Sequence, residues 1–322
     1  MILFMLFYHL FNRILNIDLC ENLVFIGGQP FAYFISFCMN PVSFIIFLSG
    51  YGLYVSYCNG RRNNIKRNVK LYAQYWITLS LFVTLGAFVI GTNSYPGGID
   101  EVWNNITGWD TSYNREAWFL FPYLLLSLSS PFWFRLMDKM KPLIFIVIIL
   151  SLYLVNKYWG HIYHLETCGY VSILQIYRYF SLLLPFSIGM MTARYFKYSE
   201  FKERTQSRAA QILLILSLLA LMFAYSYIQD YRIGDIYTLI FILLFVLINR
   251  PAWLDKFLLE MGKRSTSMWL IHTYFCYYLF HDFIYGFKYP LVIFAVLVGI
   301  TYLSAIVIDW INGKVQMALR LK

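Results

Sequence analysis

The sequence predicts an all-α, polytopic integral membrane protein of about ten transmembrane helices, with both termini cytoplasmic and one domain over residues 1–322. Three observations carry this. Hydrophobic residues make up 60% of the chain and charged residues 13%, about half the charged share of a soluble domain. Apolar runs near the length needed to cross hydrocarbon recur from one end to the other. Most of the 26 Lys and Arg fall in alternate loops, the positive-inside pattern that sets orientation. That alternation also excludes a nucleic-acid reading of the net charge of +10, because the cations separate spans rather than gather on one face. The 29 Phe, 28 Tyr and 9 Trp exceed what a core needs and suit interfacial belts.

The first span is read as Met1–Ile17. No basic leader region or small-residue cleavage site accompanies it, so it reads as a helix and not as a signal peptide. The second, Phe34–Tyr57, contains Ser49-Gly50 and Gly52. Lipid contact does not explain small residues there; close backbone approach or room for a ligand does. Arg61, Arg62, Lys66, Arg67 and Lys70 then crowd one turn before a third span, Leu71–Gly91. Two readings stay open for this turn: an ordinary cytoplasmic loop, or a site for a bound anion. The outer loop Thr92–Ala117 combines Trp103, Trp109 and Tyr113 with acids, which suits carbohydrate binding or a loop lying on the membrane. Within it Asn105-Ile106-Thr107 matches a glycosylation acceptor. The remaining spans are Trp118–Phe134, Pro142–Val155, Ile173–Tyr195, Ala209–Tyr227, Ile236–Ile248, Ser265–Tyr285 and Pro290–Ile311. On the outer side this leaves Arg13, Arg115, Lys157, Arg232 and Lys288.

Ionisable groups inside spans are costly and therefore functional candidates. His9, Arg178, His272 and Asp309 form that short list. His9 is the group suited to take and return a proton near neutral pH. Arg178 lies toward the outer end of its span, His272 suits packing or support, and Asp309 reads as structural. His161 and His164 have the spacing of a shared metal site without a third ligand, so a solvated loop is the plainer reading. The cysteines show no metal-like spacing; Cys20 and Cys168 both fall in outer loops, which leaves a disulfide open.

His9, then FIIFLSGYGLY at 44–54, then Arg67-x-x-Lys70 leading into Leu-Tyr-Ala-Gln-Tyr-Trp, resembles the acyltransferase-3 family of integral membrane acyltransferases. Glu-Ala-Trp-Phe-Leu at 116–120, LLLPFSIGMM at 182–191 and MGKRSTSMWLIH at 261–272 continue the likeness in order. The resemblance implies transfer of an acyl group, usually acetyl, from acyl-CoA to a hydroxyl of a cell-surface polysaccharide or lipid-linked sugar at the cell membrane. It puts the family's catalytic His at His9, its Ser-Gly at Ser49-Gly50 and its basic pair at Arg67 and Lys70. Arg61 and Arg62 join that pair as candidates for the CoA phosphates, and Trp118, Arg178 and His272 are candidates for the acceptor. No metal or bound cofactor is expected. A glycan exporter or flippase, or a structural component of a glycan assembly, is the reading from another class.

Overall fold

A computed structural model describes residues 1–61, 63–91, 95–165 and 169–320 of the protein. The first helices are α1 (Ile2–Phe11), α2 (Ile14–Ile17), α3 (Phe31–Ser36), α4 (Pro41–Cys58), α5 (Asn64–Val89) and α6 (Ile99–Thr107). They are followed by α7 (Leu120–Lys139), α8 (Pro142–Ile162), α9 (Val171–Tyr195), α10 (Tyr198–Arg204) and α11 (Arg208–Ile228). The last are α12 (Gly234–Leu247), α13 (Ala252–Lys263), α14 (Ser265–Thr273), α15 (His281–Tyr285) and α16 (Pro290–Ala318). Strand among the described residues is limited to the antiparallel pair β1 (Phe25–Ile26) and β2 (Gln29–Pro30). The class is all-α, and the chain is a multi-pass membrane protein.

Among the described residues, seven runs are long and apolar enough to span: Phe31–Cys58, Asn64–Val89, Arg115–Lys139, Pro142–Ile162, Val171–Tyr195, Arg208–Ile228 and Pro290–Ala318. The other three expected spans take a different form. Helix α1 has 10 residues and α12 has 14. At the helical rise these reach roughly 15 and 21 Å, short of the ~30 Å hydrocarbon core. The expected span Ser265–Tyr285 is not one helix. Helix α14 ends at Thr273, a π-helical turn covers Tyr274–Tyr278, and α15 follows. Hydropathy registers apolar composition and is blind to such breaks.

A helix that stops within apolar surroundings leaves carbonyls without partners, and these must be met by side chains. Tyrosines do this at the end of α1. The Tyr285 hydroxyl donates to the Leu10 carbonyl at 2.8 Å, and the Tyr277 hydroxyl donates to the carbonyl of His9. The end of α6 is met in the same way. Tyr72 donates to the Thr107 carbonyl at 2.9 Å, Tyr75 to Asn105 at 2.8 Å and Trp76 Nε1 to Ile106 at 2.8 Å. The Leu-Tyr-Ala-Gln-Tyr-Trp segment is therefore a row of donors for one helix end. It fixes the end of α6 against α5.

Two helix boundaries move for comparable reasons. Helix α5 starts at Asn64, seven residues before the expected Leu71, because Asn63 caps it by accepting from the Lys66 amide at 2.9 Å. Helix α8 runs past Val155 to Ile162, since Asn156 donates to the Tyr177 carbonyl and to Ser181 Oγ, both at 3.0 Å. Asn105 is fully buried and donates to Glu101 O and Ser112 Oγ, which removes it as an accessible glycosylation site.

The chain divides into two compact units, Met1–Phe44 with Lys197–Lys314, and Ile45–Phe196 with Val315–Lys322. The core of the first gathers Cys38, Phe44, Tyr225, Tyr237 and Phe241. Tyr225 and Tyr237 stack there at 4.1 Å between centroids, and the Tyr237 hydroxyl donates to the Cys38 carbonyl at 2.8 Å. In the second, α4 and α9 cross in close contact. A Cβ on Gly50 would lie 2.1 Å from the Phe186 carbonyl oxygen, and one on Gly189 would lie 2.0 Å from that of Phe47. Only glycines allow this approach.

Candidate functional site

In the first unit the last turn of α1 carries His9, and the last turn of α14 carries His272. Their rings lie 5.0 Å apart at the centroids. His272 is fully buried, and its Nδ1 is 2.7 Å from the Trp269 carbonyl oxygen. A carbonyl only accepts, so Nδ1 carries the proton and the lone pair is left on Nε2. That Nε2 is buried with no hydrogen-bond partner among the described residues, an uncommon and costly state for a ring nitrogen. His9 is buried as well, and its Nδ1 is 3.3 Å from the Tyr277 hydroxyl. The same hydroxyl donates to the His9 carbonyl. The Arg13 guanidinium covers the Tyr277 ring at 4.2 Å, with a further attraction between cation and π face.

Helix α14 is held at its start by α16. Asp309 accepts from Arg264 Nη1 at 2.8 Å and from Ser267 Oγ at 2.5 Å. Glu260 accepts from Arg264 Nε and from the Tyr302 hydroxyl, each at 3.2 Å. The polar residues of MGKRSTSMWLIH thus anchor the helix that presents His272. Asp309, read as structural, takes that part. Tyr277 had no sequence signal, being one tyrosine among 28.

The second unit contains the basic segment. Arg67 and Lys70 stand on the first turns of α5 and not in a loop, three residues apart and so on one face. Asn64 donates to the Ser127 carbonyl at 2.7 Å and to Ser130 Oγ at 3.0 Å. Those partners precede the end of α7 at Lys139 by roughly 14–18 Å of helix rise. The cationic helix start is therefore carried inward along α7. Arg67 lies close enough to Tyr123 to act on it electrostatically, and Tyr123 pairs with the Ser49 hydroxyl. Ser49 and Arg67, 18 positions apart in sequence, so both act on one phenol. Among the described residues, buried Asn68 has no hydrogen-bond partner for either side-chain atom, and Ser127 Oγ likewise has none. Gly50 faces α9, as described. Arg61 is exposed, and Arg62 lies outside the described residues.

Trp118 and Arg178 also meet in the second unit. The guanidinium sits 5.2 Å from the indole centroid, and both line a cavity of about 400 Å³ with Lys157, Leu174, Tyr177 and Ser181. His161 and His164 belong to no cluster of three or more metal-ligating groups among the described residues. Cys168 lies outside the described residues, so a pairing with Cys20 is not described.

The family model described as Acyltransferase domain matches residues 1–309. No curated protein and no solved structure matches the chain.

Proposed function

The chain belongs to the acyltransferase family, whose model spans residues 1–309, and on that premise we propose that it transfers an acyl group, acetyl in the first instance, from acyl-CoA to a hydroxyl of a cell-surface polysaccharide or lipid-linked sugar. The observation that carries this reading is the buried imidazole pair, His9 and His272, whose rings lie 5.0 Å apart at the centroids. A sugar hydroxyl is a weak nucleophile at neutral pH, so a base must take its proton as its oxygen attacks the thioester carbonyl. His9 is assigned that part. A new C–O bond forms, the C–S bond breaks, and the proton held by the imidazole passes to the CoA thiolate.

The start of α5 is assigned the donor's phosphates. A helix N-terminus with Arg67 and Lys70 on one face attracts anions by its amides, its dipole and its cations together. Arg61 and Arg62 would extend this binding toward the chain before the helix. Asn68 and Ser127 Oγ, without hydrogen-bond partners among the described residues, are polar groups that a bound amide-rich chain, such as the pantetheine arm, would satisfy. Gly50 is here a packing residue, and Ser49 supports Tyr123. Both termini are assigned to the cytoplasmic side and the protein to the cell membrane, in keeping with the alternation of loop cations.

The test is release of CoA from acetyl-CoA by the purified full chain, with and without an added polysaccharide acceptor. Release that depends on the acceptor supports the transferase. A glycan exporter would move the polymer across proteoliposomes and leave acetyl-CoA intact.

A further inference from the structure

We propose that the exposed face formed by α10, the start of α11 and α13, all in the first unit, binds the headgroups of anionic phospholipids. Over residues 197–208 and 250–264 the chain carries eight Lys and Arg against four Asp and Glu. Three of those acids are engaged within the same segments. Lys197 pairs with Glu200 at 2.9 Å and Arg250 with Asp255 at 2.8 Å, and Glu260 takes Lys263 and Arg264 at 3.2 Å each. Arg204, Arg208 and Lys256 are exposed, and their side chains make no ion pair or hydrogen bond among the described residues. With Glu203 as the remaining acid, the face keeps an excess of positive charge that only an outside partner can meet.

The two segments are tied into one face. Lys202 on α10 donates from Nζ to the carbonyl of Leu247, the last residue of α12, at 2.8 Å, and lies within electrostatic reach of Arg250 and Asp255. Gln211 on α11 donates to the same carbonyl at 3.2 Å and accepts from the Asn249 amide at 2.6 Å. Aromatic side chains stand exposed beside the free cations: Tyr198 and Phe201 on α10, Trp253 and Phe257 on α13. Trp253, Lys256 and Phe257 are three and four residues apart and so share one side of α13. The order of chemistry along α11 names the partner. Arg208 opens this spanning helix, and Ile212, Leu213 and Leu216 are exposed within its next turns. Rings and cations at the end of a span meet the layer where hydrocarbon gives way to phosphate. Each cation near an anionic surface adds about fivefold in affinity.

The test titrates detergent-solubilised full-length protein with dioctanoyl phosphatidylglycerol and with dioctanoyl phosphatidylcholine, binding being read by thermophoresis. Phosphatidylglycerol should bind at least about tenfold more tightly. The preference should disappear in R204Q/R208Q/K256Q and persist in R204K/R208K/K256R. It should also persist in R135Q/K139Q/K141Q, which removes as many cations from a different segment. In the unaltered protein, added salt should weaken phosphatidylglycerol alone, a measurement that stands even if the glutamine variant misfolds. Equal binding of the two lipids overturns the proposal and leaves these cations a purely topological part. Loss of the preference in R135Q/K139Q/K141Q overturns it as well, since any cationic segment would then serve. So does displacement of phosphatidylglycerol by an equal concentration of an oligoglutamate peptide, which would make this a docking surface for an acidic protein.

Discussion

At His9 and His272 the same side chain is placed in two different ways. The proton of His272 is fixed on Nδ1 by a backbone carbonyl at 2.7 Å, while His9 Nδ1 lies 3.3 Å from the hydroxyl of Tyr277. General-base catalysis is worth about 10²–10⁴-fold, so His9→Gln and His9→Ala should each lower kcat by that order with thermal stability retained. His272→Ala should lose less. Full turnover by well-folded His9→Gln protein would remove His9 as the base. Small residues divide just as sharply. Gly50→Ala forces a methyl onto the Phe186 carbonyl and should cost about 1–3 kcal/mol by overpacking. Among the described residues nothing lies within 4 Å of a Cβ on Gly52, so Gly52→Ala should change stability by less than ~0.5 kcal/mol. Thermal unfolding in detergent separates the two. The run Ser49-Gly50-x-Gly52 was visible in the sequence, but not which glycine faces a neighbouring helix.

Helix α5 shows how an element acquires a role from its neighbours. By sequence its cations are a turn between spans; in the fold they occupy the start of a capped helix set inward along α7. Arg67→Gln with Lys70→Gln should raise KM for acyl-CoA and leave kcat nearly unchanged, because phosphate contacts are equal in ground and transition states. Half-buried cations are screened less than exposed ones, so much of the effect should survive in high salt. An unchanged KM would return these residues to a topological role. Helix α14 depends on Asp309, which accepts from both Arg264 and Ser267. Asp309→Asn weakens the charge-assisted pair and should lower both thermal stability and kcat, with KM for acyl-CoA unaffected. A fall in stability alone would confine the brace to folding.

For the whole molecule, orientation is the property most open to a direct test. Cysteines placed at the exposed positions Asp100 and Lys139, both in the second unit, should react with impermeant reagent from opposite faces of the membrane. Labelling from one face would discard the assignment of loops by their cations. The sequence by itself determined the all-α membrane class, the order of the long helices and the short set of ionisable candidates. Those follow from apolar run length and charge placement, which act along the chain and need no knowledge of the fold. Only the tertiary structure decided that the first and ninth expected spans are interrupted. It also set His9 beside His272, Ser49 beside Tyr123 and Lys157 beside Tyr177. The reason is physical. A helix break at membrane depth becomes tolerable when distant side chains satisfy its carbonyls, and the Tyr277 that does so for His9 is 268 positions away. A pairing across that separation leaves no periodic trace in either segment.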